Sequence, residues 1–407
     1  MIRLFINALA ASAGGGLTYV RNVLPILAHR KDVCTTLLIN DSFRNEVAES
    51  NQVKVLRESY PAGTARRFCA EQVHLPRLIR RSGADVLLST GNFALLRSPV
   101  PQILLSRNAL YLSSAFLRDV QERGDYRLWI DTKIKSALAR FSIGVADCTI
   151  APSQTFADEL RLWSGKHVMA IHHGFDHQAF FDESVSLSDT VQKQLADSNG
   201  AFRILFVSHY NYYRNFETLI RALAIVKKKL QPKKVRLLLT CKLASKANPG
   251  SYQAETAAAL VRQLDVGKEV IELGAVPYGA LHHLYRSCDV YATPAYAETF
   301  AHPLVEAMAS GLPVIASDMP VHHEICGHAA QYFPRFSAQL LAERIIELWM
   351  SAEQRTAMRA KGIVRSRDFS WTKHVNALLT VARTMVTSDG SGQTRPEDEA
   401  PPSFNVR

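Results

Sequence analysis

Residues 291–317, YATPAYAETFAHPLVEAMASGLPVIAS, read as strand, polar loop, short helix, glycine turn and strand. Tyr291 to Pro294 closes a buried strand. Pro303 at the first helical position, Gly311 just past the last and Pro313 beyond it start and stop the helix. Two carboxylates bracket the loop and helix: Glu298 before it, and Glu306 on its first turn or just beyond. Between them the helix N-terminus offers unpaired backbone N–H groups and a positive dipole end, a seat for a phosphate. Acid, phosphate seat, acid is the order needed to grip a sugar, a diphosphate and a ribose. A surface glutamate beside a solvated helical one would give the same local pattern, so the rest of the chain has to decide.

At 407 residues the chain exceeds one ordinary core, and two domains are expected. With 47% hydrophobic and 21% charged residues the composition is that of a soluble globular protein. No window approaches the run of about 20 apolar residues that a membrane span needs. The N-terminus, MIRLFINALAASAGGG, reads as a first strand ending in a glycine turn rather than as a secretory signal. Six scattered cysteines (Cys34, Cys69, Cys148, Cys241, Cys288 and Cys326) show no CxxC and no pairing rhythm, which suits reduced thiols and a cytoplasmic setting. The formal net charge of +11 favours anionic partners. Arg66, Arg67, Arg77, Arg80 and Arg81 fall in one predicted helix opposed only by Glu71, which is either a solvated helix face or a contact with an anionic membrane surface. No aromatic-interleaved basic motif or helix-turn-helix pattern points to nucleic acid.

Residues 2–9 form an apolar run followed by Gly14, Gly15 and Gly16 and an amphipathic stretch at 17–29, the opening unit of a parallel α/β sheet. It is not a dinucleotide fingerprint: GxGxxG is absent and no acid ends the next strand at 33–39. The glycines allow close backbone approach to a ligand, and equally a plain tight turn. Apolar runs at 52–56, 85–89, 101–105, 147–151 and 168–172 continue the alternation. A polar stretch without a strong strand then intervenes, and a second series begins with strands at 202–207, 235–240, 269–273, 289–293, 313–316 and 330–333. The expected organisation is a first α/β domain over 1–180, a linker over 181–200, a second α/β domain over 201–368, a C-terminal helix over 369–386 packing back on the first domain, and a disordered tail over 387–407 rich in Ser, Gly, Pro and acid. Two doubly wound domains facing one another leave a cleft at their strand C-termini, where ligands of such sheets bind.

Glu298 and Glu306, in ETFAHPLVE, resemble the EX7E motif of the family 4 glycosyltransferases. The flanking LGAVPYGALHHLYRSCDVYATP and EAMASGLPVIASDMPVHHEICGHAA are similar to that family's C-terminal domain, and the likeness covers most of the second domain. In the first domain it rests on the Gly14–Gly16 loop, APSQTFADEL at 151–160 and HHGFD at 172–176. The resemblance implies the GT-B fold, two Rossmann-like α/β domains facing across a cleft. It implies that Glu298 touches sugar hydroxyls and Glu306 the ribose of a nucleotide-sugar, UDP- or GDP-linked, because carboxylates accept paired hydrogen bonds from vicinal diols. Thr299, Phe300 and Ala301 would offer backbone N–H groups to the diphosphate.

The chain departs from the family at several places. Gly is common there at the positions of Thr299 and Ala301. After the first strand of the second domain, an Arg and, five residues later, a Lys commonly clamp the diphosphate; here His209 and Arg214 stand in SHYNYYRNFETLI. Arg214 keeps a fixed charge and a bidentate fork, whereas His209 is only partly charged near neutrality. Arg107 and Asn108 follow a first-domain strand where many relatives carry a His near the reacting sugar, so both are candidates for binding donor sugar or acceptor.

The resemblance implies a retaining transfer without a metal or other cofactor: charge on the departing diphosphate is met by Arg214 and the 299–301 amides, and the leaving phosphate takes the acceptor proton. The histidine pairs His172–His173, His282–His283 and His322–His323 with His328 carry no zinc-type spacing, and no DxD motif is present. Hydrolysis by paired carboxylates is disfavoured, because Glu306 lies beyond the phosphate seat instead of across a scissile bond from Glu298. The rival from another class is a non-catalytic GT-B subunit that binds nucleotide or glycan for a partner enzyme. The acceptor implied is a glycan or lipid-linked precursor of polysaccharide or cell envelope, met by a protein resting on the membrane.

Overall fold

The structure is a computed structural model that describes residues 1–11, 15–46, 49–59, 63–244, 246–250 and 252–389. Its first sheet has seven strands: β1 (Ile2–Asn7), β2 (Val33–Asn40), β3 (Val53–Glu58), β4 (Val86–Ser89), β5 (Gln102–Leu105), β6 (Cys148–Ala151) and β7 (Met169–Ala170). They lie in the order β3-β2-β1-β4-β5-β6-β7, each pair parallel. The second sheet contains β8 (Phe202–Phe206), β9 (Val235–Leu239), β10 (Val270–Glu272), β11 (Val290–Thr293), β12 (Val314–Ser317) and β13 (Ala330–Phe333), parallel and ordered β10-β9-β8-β11-β12-β13.

Helices cover both faces of these sheets, so the central strands read as unbroken apolar runs, VLLS, QILL and VIAS, with every residue buried. Alternate side chains serve opposite faces. Phe5, Leu38 and Leu87 meet the helix Thr64–Ser82, whereas Leu4, Leu37, Val86 and Leu88 share a cluster with the helix Gly15–Ala28. In each sheet the chain reverses its direction of winding, between β1 and β4 and between β8 and β11, and the crevices outside those strand ends are where such sheets hold ligands.

The expected linker over 181–200 contains a helix, Asp189–Asp197, capped by Ser188 and seated in the core through Leu187, Val191 and Leu195. Its polar composition hid a one-sided apolar stripe at four-residue spacing. The C-terminal helix runs Trp371–Asp389, three residues beyond the expected end, and places Trp371, Val375, Leu378, Leu379 and Ala382 in the first domain's core. The expected tail beyond it lies outside the described residues.

The domains touch through specific polar bonds. Arg123 pairs with Glu217 at 3.0 Å, and Tyr296 O–H donates to Asp119 at 2.5 Å. Glu324 of the second domain accepts the N–H groups of Gln154 and Thr155, both at 2.7 Å, at the start of the first-domain helix Gln154–Ser164. A carboxylate there satisfies two helix-terminal donors and meets the positive dipole end.

Candidate active site

The motif segment folds around the helix His302–Ala309, which begins one residue before Pro303. Gly311, in the left-handed region at φ 70°, ends it, with its N–H on Met308. Ala301 precedes the helix at φ 61°, ψ 63°, where an L-residue with a Cβ is strained by about 1 kcal/mol or more. Ala301→Gly is therefore expected to raise unfolding stability by about 1 kcal/mol, read as a higher urea midpoint at unchanged slope. The left-handed conformation of Ala301 turns the chain from residues 299–300 into the helix N-terminus. Ser153 of the first domain ties it down from outside, its hydroxyl donating to the Thr299 carbonyl at 2.7 Å.

Both carboxylates reach one cavity of about 510 Å³ that opens between the two sheets' crevices. Glu298, Thr299, Phe300, Ala301 and Glu306 line it with His209 and Arg214 from beyond β8, and Arg107 lines the first-domain wall. Arg214 and Glu298 form an ion pair, so the two charges neutralise each other. Glu306 is buried and accepts a hydrogen bond from Tyr285 O–H at 2.8 Å. Burial pushes its carboxyl up to about 7, against the pull of Tyr285 in the other direction. Phe300 turns its ring inward against His173 and Phe369, leaving only its backbone for a ligand.

His209 lines the cavity, but burial and then the Arg214 charge hold it below the usual histidine range. It offers a neutral ring, and the fixed charge on that side belongs to Arg214. Arg107 is half-buried, its Nε–H donating to the Thr90 carbonyl at 3.1 Å, and desolvation lowers its guanidinium only to about 10, so it stays charged. Gly16 makes room for it: a Cβ there would lie 2.9 Å from the Arg107 guanidinium. Gly15 and Gly16 open the helix Gly15–Ala28 instead of forming a loop; Gly14 lies outside the described residues. Neither described glycine is among the cavity-lining residues.

Asn108 is also not a cavity residue. Its side chain accepts the Leu110 N–H at 3.1 Å and caps the single-turn helix Ala109–Tyr111. The strand end that brings Arg107 to the cavity turns Asn108 into the local cap.

Thr18, Arg21, His302 and His173 are among the further cavity residues to which the sequence assigned no role in the site. Thr18 and Arg21 sit one turn apart on the helix after the glycines, and only their three-residue spacing could have signalled a shared face. His302 lies inside the motif, and His173 inside HHGFD. His173 is 4% exposed, and neither of its ring nitrogens has a hydrogen-bond partner among the described residues. It sits among the rings of Tyr19, His302, Trp371 and His374, where both domains and the C-terminal helix meet. Burial, followed by the neighbouring His302, His374 and Arg107, holds it neutral. The structure also gathers Glu183, His282 and His283, whose ligand atoms lie within 4.8 Å of one another; Arg286 pairs with Glu183 at 2.6 Å, and none of the three lines the cavity.

Residues 188–365 match the model of the family described as glycosyl transferases group 1. The second domain is a group 1 domain. D-inositol 3-phosphate glycosyltransferase of Corynebacterium aurimucosum is 26% identical over 54% of this chain and 51% of its own length. Phosphatidyl-myo-inositol mannosyltransferase of Mycobacterium leprae is 31% identical over 30% of this chain and 33% of its own. The chain thus spans about half the length, or less, of these relatives. Among solved structures, sucrose-phosphate synthase from Thermosynechococcus elongatus superposes with a TM-score of 0.76 at 17% identity, over 95% of this chain and 100% of that one. Anabaena HepE in complex with UDP-glucose gives 0.69 at 18%, over 94% and 100%. These likenesses establish that the group 1 domain here is the second half of a GT-B fold.

Proposed function

We propose that the protein is a retaining glycosyltransferase that moves a hexose from a UDP- or GDP-sugar to a glycan or lipid-linked acceptor of polysaccharide or cell-envelope synthesis, at the cytoplasmic face of the membrane. The observation that carries this is the convergence of Glu298, the strained 299–301 backbone, Arg214 and Glu306 on one cavity whose far wall is Arg107 of the first domain. Glu306 receives the ribose hydroxyls, the helix N-terminus and Arg214 the diphosphate, and Glu298 the hexose hydroxyls. Donor binding has to draw Arg214 away from Glu298, which places the cation on the diphosphate as charge develops there. The departing phosphate then accepts the acceptor proton on the same face of the sugar. Arg214 and the helix dipole supply the positive field, so the reading calls for no metal.

Incubation of the purified chain with a panel of UDP- and GDP-hexoses tests the reading. Slow donor hydrolysis, or transfer to an added acceptor, is expected. Nucleotide binding with no turnover on any donor would favour the non-catalytic subunit instead. Donor affinity should also rise with pH and level off above about 7, because only the ionised Glu306 accepts both ribose hydroxyls; Glu306→Gln should flatten that rise. In the empty chain the sign is opposite. A carboxyl whose folded pKa is raised stabilises below its unfolded value near 4.5 and loses that contribution as pH climbs through about 7, on the order of 3 kcal/mol relative to Glu306→Gln.

A further inference from the structure

The helix Tyr126–Val145 is oriented against ordinary expectation. Its buried residues are Thr132, Ala139, Ser142 and Ile143, mostly small or polar. Leu128 and Trp129 also pack against the core, but four large apolar side chains face solvent: Tyr126 is 61% exposed, Ile130 52%, Ile134 63% and Phe141 57%. Spacings of four, four and seven residues put all four on one face. Cations flank it, with Arg127, Lys133 and Arg140 exposed on the same helix. Asp131 is the acid within the exposed surface of the helix, and Lys135 pairs with it at 2.6 Å. Beside Phe141 a groove of about 670 Å³ runs to Trp163, lined also by Lys133, Arg140 and Lys166. Leu162, on the adjoining helix Gln154–Ser164, is 89% exposed.

The helix Tyr126–Val145 and the arginine-rich helix cover the same side of the first sheet. Leu104 and Ile143 pack on the side of the first sheet that also carries Phe5 and Leu87 beneath the helix Thr64–Ser82. Tyr111 lies between the two helices: its carbonyl accepts the hydroxyl of Ser136 on the helix Tyr126–Val145, and its ring stacks on Phe93, which in turn meets Phe68 of the helix Thr64–Ser82. Arg66, Arg77, Arg80 and Arg81 are exposed there, while Arg67 turns inward to pair with Glu71 at 3.1 Å. The helix starts beside the mouth of the domain cleft, since Asp125, its cap, meets Tyr212 of the second domain and Arg123 meets Glu217.

We infer that Tyr126, Ile130, Ile134 and Phe141 form a docking face for an anionic lipid bilayer, the apolar side chains entering the headgroup boundary and Arg127, Lys133, Arg140 and Lys166 meeting lipid phosphates. A cluster of large exposed apolar residues is an interaction surface, and a ring of cations around it is the complement of an anionic bilayer. A single convex helix face suits a deformable plane better than a second rigid protein. The docking rests on the function proposed above only for its purpose, delivery of a lipid-linked acceptor to the cleft mouth.

Co-sedimentation of the full chain with vesicles tests it without reference to catalysis. The wild-type chain is expected to bind phosphatidylglycerol–phosphatidylethanolamine vesicles and to prefer them over phosphatidylcholine. Ile134→Ser with Phe141→Ser should weaken that binding at least tenfold at unchanged melting temperature and nucleotide-sugar binding. Lys133→Gln with Arg140→Gln should remove the preference for anionic lipid, as added salt does. Absence of vesicle binding by the wild-type chain overturns the proposal, as does binding by the serine variant equal to that of wild type. So does a micromolar dimer that the serine variant dissociates while its vesicle binding persists. A chain that binds vesicles in this pattern yet turns over no donor would retain the docking face and lose the transferase.

Discussion

Arg214→Ala is expected to lower kcat for the true donor at least about a hundredfold while the protein stays folded. Arg214 is the fixed cation on the second-domain side of the cavity, since His209 is held neutral by burial and by Arg214 itself. Removing one preorganised donor to a developing oxyanion costs about 100- to 1000-fold in rate. The substitution has a second consequence in the empty protein. Glu298 loses its ion-pair partner while still sparsely exposed, so stability should fall as well. Two controls separate the effects. Arg214→Lys keeps the charge and loses the bidentate fork, and should retain a larger share of kcat. Glu298→Gln with Arg214→Ala removes both members of the pair, and should recover stability without recovering rate. Unchanged turnover in Arg214→Ala would end the assignment of the diphosphate to this side chain.

Gly174→Ala is expected to destabilise the protein by more than about 3 kcal/mol. A Cβ on Gly174 would lie 2.0 Å from the backbone nitrogen of Trp371 and 2.4 Å from the carbonyl carbon of Ser370. No rotamer relieves a contact made by a Cβ with backbone, so one of the two segments has to move. What moves is the crossing where HHGFD meets the start of the helix Trp371–Asp389. Tyr19 O–H donates there to Nε2 of His374, at 2.9 Å, and the His374 Nδ1–H donates to the His172 carbonyl, at 2.9 Å. Equilibrium denaturation measures the loss, and faster proteolysis near residue 370 would locate it. A variant as stable as wild type would show that this crossing tolerates a shift the packing does not suggest.

His173 follows from the same crossing. Its neighbours Tyr19, Phe300 and Trp371 come from residues more than 350 positions apart in sequence, and it is their convergence that seals its ring off from water. In the sequence, HHGFD is a pair of histidines before a turn. Asn108 shows the reverse. Its place after a strand pointed to the cleft, and one residue of twist gave that place to Arg107 and made Asn108 a cap.

The sequence alone determined the order of the strands along the chain, the doubly wound architecture of both halves and the two carboxylates around a helix N-terminus. These are local properties. Strands buried on both faces have to be apolar throughout, a helix start and stop are written in Pro and Gly, and the spacing of Glu298 and Glu306 follows from one loop and one turn. The tertiary structure decided what depends on distant segments meeting: the pairing of Arg214 with Glu298, the raised carboxyl of Glu306 beneath Tyr285, the histidine and arginine wall supplied by the first domain, and which face of the helix Tyr126–Val145 is left to solvent. The alternation of apolar and polar residues predicts that a helix has two faces. Which of them is covered depends on the neighbours that fold against it, and here these cover Thr132, Ala139, Ser142 and Ile143 and leave Tyr126, Ile130, Ile134 and Phe141 exposed.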